Sequence, residues 1–221
     1  MSPSFFGELR SAIIFAADLP SFAENARILD QIRAHIDVVK INCPLLYREG
    51  VGVIGRLVRD YGLPVFADIK VADVPHTNAA IVELMAEQGA AAVMVHGIVG
   101  PDGIQAAIDA AASQLAIIVQ LELTNPGGKL FTQPIAEDMA GLAKELGAFG
   151  VQAPGNRPER IQRIRSIVGP EMVIVCCGVG RQGGRFQAVR RAGGSYAIIG
   201  RAIYEADDPI AAIEELRLTP P

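Results

Sequence analysis

The sequence predicts an α/β protein of the single (β/α)8-barrel class, and three observations predict it. Eight short apolar runs rich in β-branched residues recur along the 221 residues, stretches with helical spacing separate them, and no segment is left over for a second domain. A parallel sheet needs helical crossovers between its strands, and eight such units favour closure over an open doubly wound sheet. With 50% hydrophobic and 20% charged residues the chain can bury one substantial core, and its length lies near the lower limit of about 200 residues for a TIM barrel. The expected domain is therefore 1–221, undivided.

In chain order the strand runs are 11–19, 37–43, 64–71, 91–98, 116–123, 148–153, 172–179 and 196–203. Each is too short for a typical helix. Helical spacing recurs between them, as in 23–33, 77–88, 133–146 and 157–168, several of these stretches being opened by Pro, Ser, Thr or Asp.

Composition excludes several functions. A net charge of −4 and a pI near 5.4 provide no general attraction to nucleic acid, and basic residues are scattered or sit in helix patterns such as "RPERIQRIR" from Arg157 to Arg165. No apolar run reaches the roughly 18 residues of a membrane span, and the start, "MSPSFFGELR", lacks the basic-then-apolar pattern of a secretory signal, so a cytoplasmic protein is expected. Cys43, Cys176 and Cys177 do not make a disulfide framework or a Cys-x-x-Cys zinc pattern. The adjacent pair lies in an apolar strand, where neighbouring side chains point to opposite faces, and reads as buried thiols.

Active sites of such barrels sit at the C-terminal ends of the strands, so the strand exits carry the functional argument. Asp18 stands at the end of the first run, Lys40 lies in the second, and the third, within "VFADIKVADVPHTN", carries Asp68 and Lys70, with Asp73 beyond it. A period of two places Asp68 and Lys70 inward if Ile69 and Val71 pack on the helices. A structural ion pair is the plain alternative. It accounts poorly for charges clustered at a barrel mouth, because burying them costs several kcal/mol unless they are well paired and apolar replacements are often as stable. A lysine between two carboxylates is expected to stay protonated, which suits a general acid or an electrostatic stabiliser better than an amine nucleophile.

The seventh run ends in "GVGRQGG" and the eighth in "GRAIY". Glycines there free backbone N–H groups to approach an anion, the loops after the last two strands often bind phosphate, and Arg201 adds a charged donor. No Gly-Lys-Ser/Thr follows, so this is not a Walker loop. His96 reads as a hydrogen-bonded structural histidine in preference to an acid or base. Glu122 and Gln120 share an inward parity with Thr124 and read as paired polar residues inside the barrel, and Thr124 itself lies in a turn-forming "TNPGG".

With these motifs in order, "DVVKINCPL", "FADIKVADVPHTN", "GVGRQGG" and "GRAIY", the chain resembles the orotidine 5′-monophosphate decarboxylases of short, archaeal type, nearly end to end. The resemblance implies cofactor-independent and metal-independent removal of CO2 from pyrimidine C6, converting orotidine 5′-monophosphate to UMP in de novo pyrimidine biosynthesis. It implies a homodimer whose array of Lys40, Asp68 and Lys70 is completed by Asp73 of the partner subunit, with Lys70 stabilising and protonating the C6 carbanion. By the same resemblance Asp18 and Lys40 meet ribose hydroxyls, as does Thr77 of the partner subunit, and Val74 also belongs to the neighbouring site. Thr124 meets the base edge, and Gln182, Gly200 and Arg201 hold the phosphate. Relatives commonly carry Ser at Thr124, Ile at Val74 and Pro at Cys177, changes that bear on affinity more than on reaction class.

Two alternatives differ in chemistry. Sugar-phosphate decarboxylases and hexulose-phosphate synthases share the Asp-x-Lys-x-x-Asp segment but bind Mg2+ and place an acidic residue where this chain has Lys40. A catalytically silent phosphate-ligand-binding barrel would have no need of all four array charges.

Overall fold

The structure, a computed structural model, describes residues 5–220, and the expected domain extends past them at both ends. The strands are β1 (Ile13–Ala17), β2 (Val38–Asn42), β3 (Val65–Val71), β4 (Ala92–His96), β5 (Ala116–Gln120), β6 (Gly150–Pro154), β7 (Val173–Cys177) and β8 (Tyr196–Ile199). They pair in parallel and in sequence order, and β8 returns to β1 to close the barrel. Both faces of such a sheet are covered, which is why the strands read as continuous apolar runs instead of alternating ones.

The pleat sorts each strand into two cores. Ile14, Val38, Phe66, Met94, Ile118, Val175 and Ile198 pack together inside the barrel. Their neighbours, among them Phe15, Val39, Ala67, Val95, Val119 and Ile199, pack outward against the helices. Phe6 closes the end opposite the strand exits, with its ring set against those of Phe66, Phe149 and Tyr196. Cys176 belongs to the outer core and Cys177 packs against the inner one, as opposite faces require.

Local chemistry sets the helix starts. Ser21 and Glu24 form a capping box on Phe22–Ile32, and proline occupies the first turn of Pro75–Glu87, Pro158–Val168 and Pro209–Leu218. The stretch 133–146 divides into a 3-10 turn, Gln133–Ile135, and the helix Ala136–Glu145.

All eight strands are shorter than the runs that predict them, and three of the early ends have a visible cause. Asn42 ends β2 by capping Cys43–Glu49, its side chain accepting from the Leu45 N–H. After Gln120 the backbone of β5 leaves the ladder, because side chains take over its bonding: Leu123 donates to Thr132 Oγ1, and its carbonyl accepts from Arg157 Nη2. β8 stops at Ile199, and Arg201–Tyr204 is a short helix. Gly200 makes the break at φ −119, ψ −90, where an added Cβ would come within 3.2 Å of the Ala16 side chain. Among the described residues no helix is long and apolar enough to cross a membrane.

Candidate active site

Lys40, inward from β2, donates to Asp18 Oδ1 at 3.0 Å and stands 3.3 Å from Asp68 Oδ2. The other oxygen of Asp68 accepts from Lys70 Nζ at 2.7 Å. The Lys40 and Asp68 side chains are 7% and 4% exposed, whereas Lys70 is 43% exposed and forms the open end of the row. Burial opposes the Lys40 charge, but attraction from Asp68 and then Asp18 outweighs it and raises its pKa. Asp68 is thus a desolvated carboxylate clamped by two ammonium groups, one deep and one facing the cavity.

The row depends on an irregularity in β3. Ala67 pairs with Val93 and Val71 with Val95, so four steps along β3 match two along β4. The surplus is absorbed partly at Lys70, whose φ of 49° is left-handed. Ile69 and Val71 still pack outward, which leaves Asp68 and Lys70 inside as the period of two predicts.

A cavity of about 220 Å³ opens above this row. Asp18, Lys40 and Lys70 line it, as do Thr124, Gln182, Gly200 and Arg201. Its glycine loop turns tightly: Gly178, Gly180 and Gly183 have φ of 83°, 83° and 90°, and Gly184 N–H donates to the Gly178 carbonyl at 3.1 Å. A Cβ on Gly180 would fall 2.7 Å from that of Ala202, so glycine allows the loop to lie on the helix Arg201–Tyr204.

Asp73, Val74 and Thr77 do not line their own chain's cavity. Asp73 is exposed, its N–H donating to Asn78 Oδ1 at 2.9 Å and its carboxylate accepting from the Val74 N–H at 2.7 Å. Val74 is 62% exposed and precedes Pro75 at the start of the helix.

Other residues change the picture drawn from sequence. His96 is buried, and its Nδ1 accepts from the Ile98 N–H at 3.3 Å. Burial, then the Lys70 charge, lowers its pKa, which favours the neutral ring that this bond requires. Glu122 does not share the inward parity of Gln120, because the strand has already ended; Leu123 lines the cavity instead. Glu122 is fully buried against Arg157 at 2.7 Å and Arg160 at 2.8 Å, in front of the helix Pro158–Val168. Gln152, Arg181 and Tyr204 line the cavity without having been singled out by sequence. Gln152 had a signal, a lone polar side chain within the buried strand "GVQAP". Burial pushes the Cys177 thiol, also at the cavity, up to about 12. Among the described residues no group of three or more His, Cys, Asp or Glu side chains could hold a metal ion.

Fold and site define a (β/α)8-barrel protein with a desolvated lysine–aspartate row at its C-terminal mouth and a glycine loop closing the same cavity. Residues 11–216 match the model of the orotidine 5′-phosphate decarboxylase / HUMPS family, and the chain belongs to that family. It is 40% identical over 210 residues to the orotidine 5′-phosphate decarboxylase of Methanosarcina barkeri, covering 95% of this chain and 94% of that protein. The enzyme of the same name from Pyrococcus furiosus is 36% identical, over 92% of this chain and 95% of its own length. Among solved structures, orotidine 5′-monophosphate decarboxylase from Methanocaldococcus jannaschii, complexed with inhibitor BMP, superimposes with a TM-score of 0.86 at 32% identity, covering 92% of this chain and 95% of that one. The enzyme from Pyrococcus horikoshii gives a TM-score of 0.84 at 36% identity, over 92% and 96% of the two chains.

Proposed function

We propose that this chain, acting as one catalytic domain over 1–221 in the cytoplasm, decarboxylates orotidine 5′-monophosphate to UMP in de novo pyrimidine biosynthesis. The observation that carries the reading is the buried Asp68 carboxylate held between Lys40 and Lys70 at the cavity. A substrate carboxylate beside Asp68 is opposed by like charge, and the opposition vanishes as CO2 departs. Attraction between Lys70 and C6 grows over the same interval, so the row favours the transition state over the bound substrate. The C6–carboxylate bond breaks with its electron pair left on C6, CO2 leaves, and an Nζ–H of Lys70 supplies the proton that completes UMP. Solvent then restores the proton to Lys70.

In this reading Asp18 and Lys40 meet the ribose hydroxyls and Thr124 meets the base edge. Gln182, Arg201 and the backbone at Gly200 hold the phosphate, which fixes the reacting end in register. Asp73 of the partner subunit completes the array, with Val74 and Thr77 of the partner subunit beside it. The outward placement of Asp73 and Val74 on their own barrel supports this assignment.

Metal-assisted sugar-phosphate chemistry, the other branch suggested by the family's name, fits less well. The space between Asp18 and Asp68, where a divalent ion would need oxygen ligands, is filled by the Lys40 ammonium. The test is to incubate metal-free protein with orotidine 5′-monophosphate and a chelator while following the loss of substrate ultraviolet absorbance. Turnover to UMP is expected. No turnover, or turnover only on adding Mg2+, contradicts the reading.

A further inference from the structure

One cation on the cavity wall has no part in the chemistry above. Arg181 lines the cavity, as do Gln182, Gly200, Arg201 and Ala202, and its side chain is 59% exposed. It stands with Gln182 at the tip of a tight turn, in which the Gly183 N–H donates to the Gly180 carbonyl at 2.8 Å. The turn lies directly on the helix Arg201–Tyr204, since a Cβ at Gly180 would meet that of Ala202 at 2.7 Å. From there the guanidinium runs to the C-terminal end of the helix, where its Nη2 stands 2.9 Å from Glu205 Oε2. Glu205 lies outside the cavity lining.

Both ends of that helix are within range of a long side chain anchored beside Ala202. At about 1.5 Å of rise per residue, Gly200 is about 3 Å back along the axis and Glu205 about 4.5 Å forward. On the reading given under Proposed function, Gly200 and Arg201 hold the nucleotide phosphate at the first end, so two anions compete for one guanidinium. The carboxylate carries a single charge, and its pair with Arg181 is open to solvent and therefore weak. The phosphate carries about −1.5 to −2 charge at neutral pH and presents oxygens suited to a bidentate arginine. We propose that Arg181 is a second phosphate-binding cation, paired with Glu205 in the free protein and transferred to the phosphate when a nucleotide enters. A nucleoside has no phosphate to offer and leaves the pair intact.

The test is calorimetric binding of UMP and uridine, at fixed ionic strength, to wild type, Arg181→Met, Glu205→Gln and the double variant. Arg181→Met should weaken UMP binding roughly tenfold, as expected for loss of a charged hydrogen bond, and leave uridine unchanged. Glu205→Gln removes the competitor and should tighten UMP binding about two- to fivefold, the range of an exposed ion pair. In the Arg181→Met background the same change should have no effect. A pair that merely straps the loop to the helix behaves differently, because breaking it from either side then weakens binding. Weaker or unchanged UMP binding in Glu205→Gln therefore overturns the proposal. So does an Arg181→Met variant that binds UMP like wild type or loses uridine equally, and so does tightening by Glu205→Gln that persists undiminished without Arg181. If UMP fails to bind wild type, the function proposed above falls and takes this inference with it; if UMP binds wild type and ignores both substitutions, only the role of Arg181 falls.

Discussion

Lys70 holds its charge on a backbone conformation that lysine adopts at a cost, φ 49° in a strand that carries surplus residues relative to its neighbour. Left-handed backbone at a non-glycine residue costs of order 1–3 kcal/mol and persists where surrounding structure imposes it. Comparing Lys70→Gly with Lys70→Ala isolates that cost, since both lose the ammonium. The glycine variant should be the more stable by about 1 kcal/mol, roughly 2–4 °C in Tm for a chain of this size. Equal melting temperatures would show that the conformation is not strained. Both variants should lose turnover by at least roughly 10²-fold, the lower end of a general acid's contribution.

At the same scale, His96 links pH to stability. Its folded pKa is depressed below the ordinary 6.5, so its contribution is present above that value and lost as pH falls through the folded pKa. Denaturation curves from pH 8 to 5 should show wild type losing stability more steeply than His96→Asn, which keeps an acceptor for the Ile98 N–H. Parallel curves would remove His96 as the cause. The placement of Asp18, Lys40, Lys70, Thr124, Gln182, Gly200 and Arg201 around one cavity was legible because each is a polar residue or glycine within an apolar run or just past its end. The left-handed turn at Lys70 was not, because lysine has no local preference that announces it.

Among the elements, the strands were legible in number and order, and their ends were not. The fifth and eighth runs continue apolar past the true exits, since Leu121 and Ile203 are buried outside the strands. What stops those strands lies elsewhere in the chain: Thr132 and Arg157 for β5, and the approach of Gly200 to Ala16 for β8. The burial of Glu122 against Arg157 and Arg160 was hidden for the same reason, the partners being more than 30 residues away. The loops after β7 and β8 yield a prediction at this scale. Arg201→Ala should lower kcat/KM for the phosphorylated substrate roughly 10- to 150-fold, equivalent to the about 1.5–3 kcal/mol of a charged hydrogen bond. Orotidine without its phosphate should react poorly with wild type and be nearly indifferent to the change. Equal losses for both substrates would exclude direct phosphate contact.

At the scale of the whole molecule, closure of eight strands brings Asp18, Lys40 and Asp68 from β1, β2 and β3 into contact while directing Asp73 away from the cavity of its own chain. Under the function proposed here a second copy supplies the fourth charge, which makes assembly a catalytic requirement. Subunit mixing tests this most directly. Lys70→Ala and Asp73→Ala proteins, each inactive alone, are combined under conditions that exchange subunits, and decarboxylation of orotidine 5′-monophosphate is measured. A mixed dimer with shared sites holds one site with both lesions and one with neither. Statistical pairing makes about half the dimers mixed, so activity should return toward roughly a quarter of wild type. If exchange is verified and no activity returns, every site is built from a single chain and the account is contradicted.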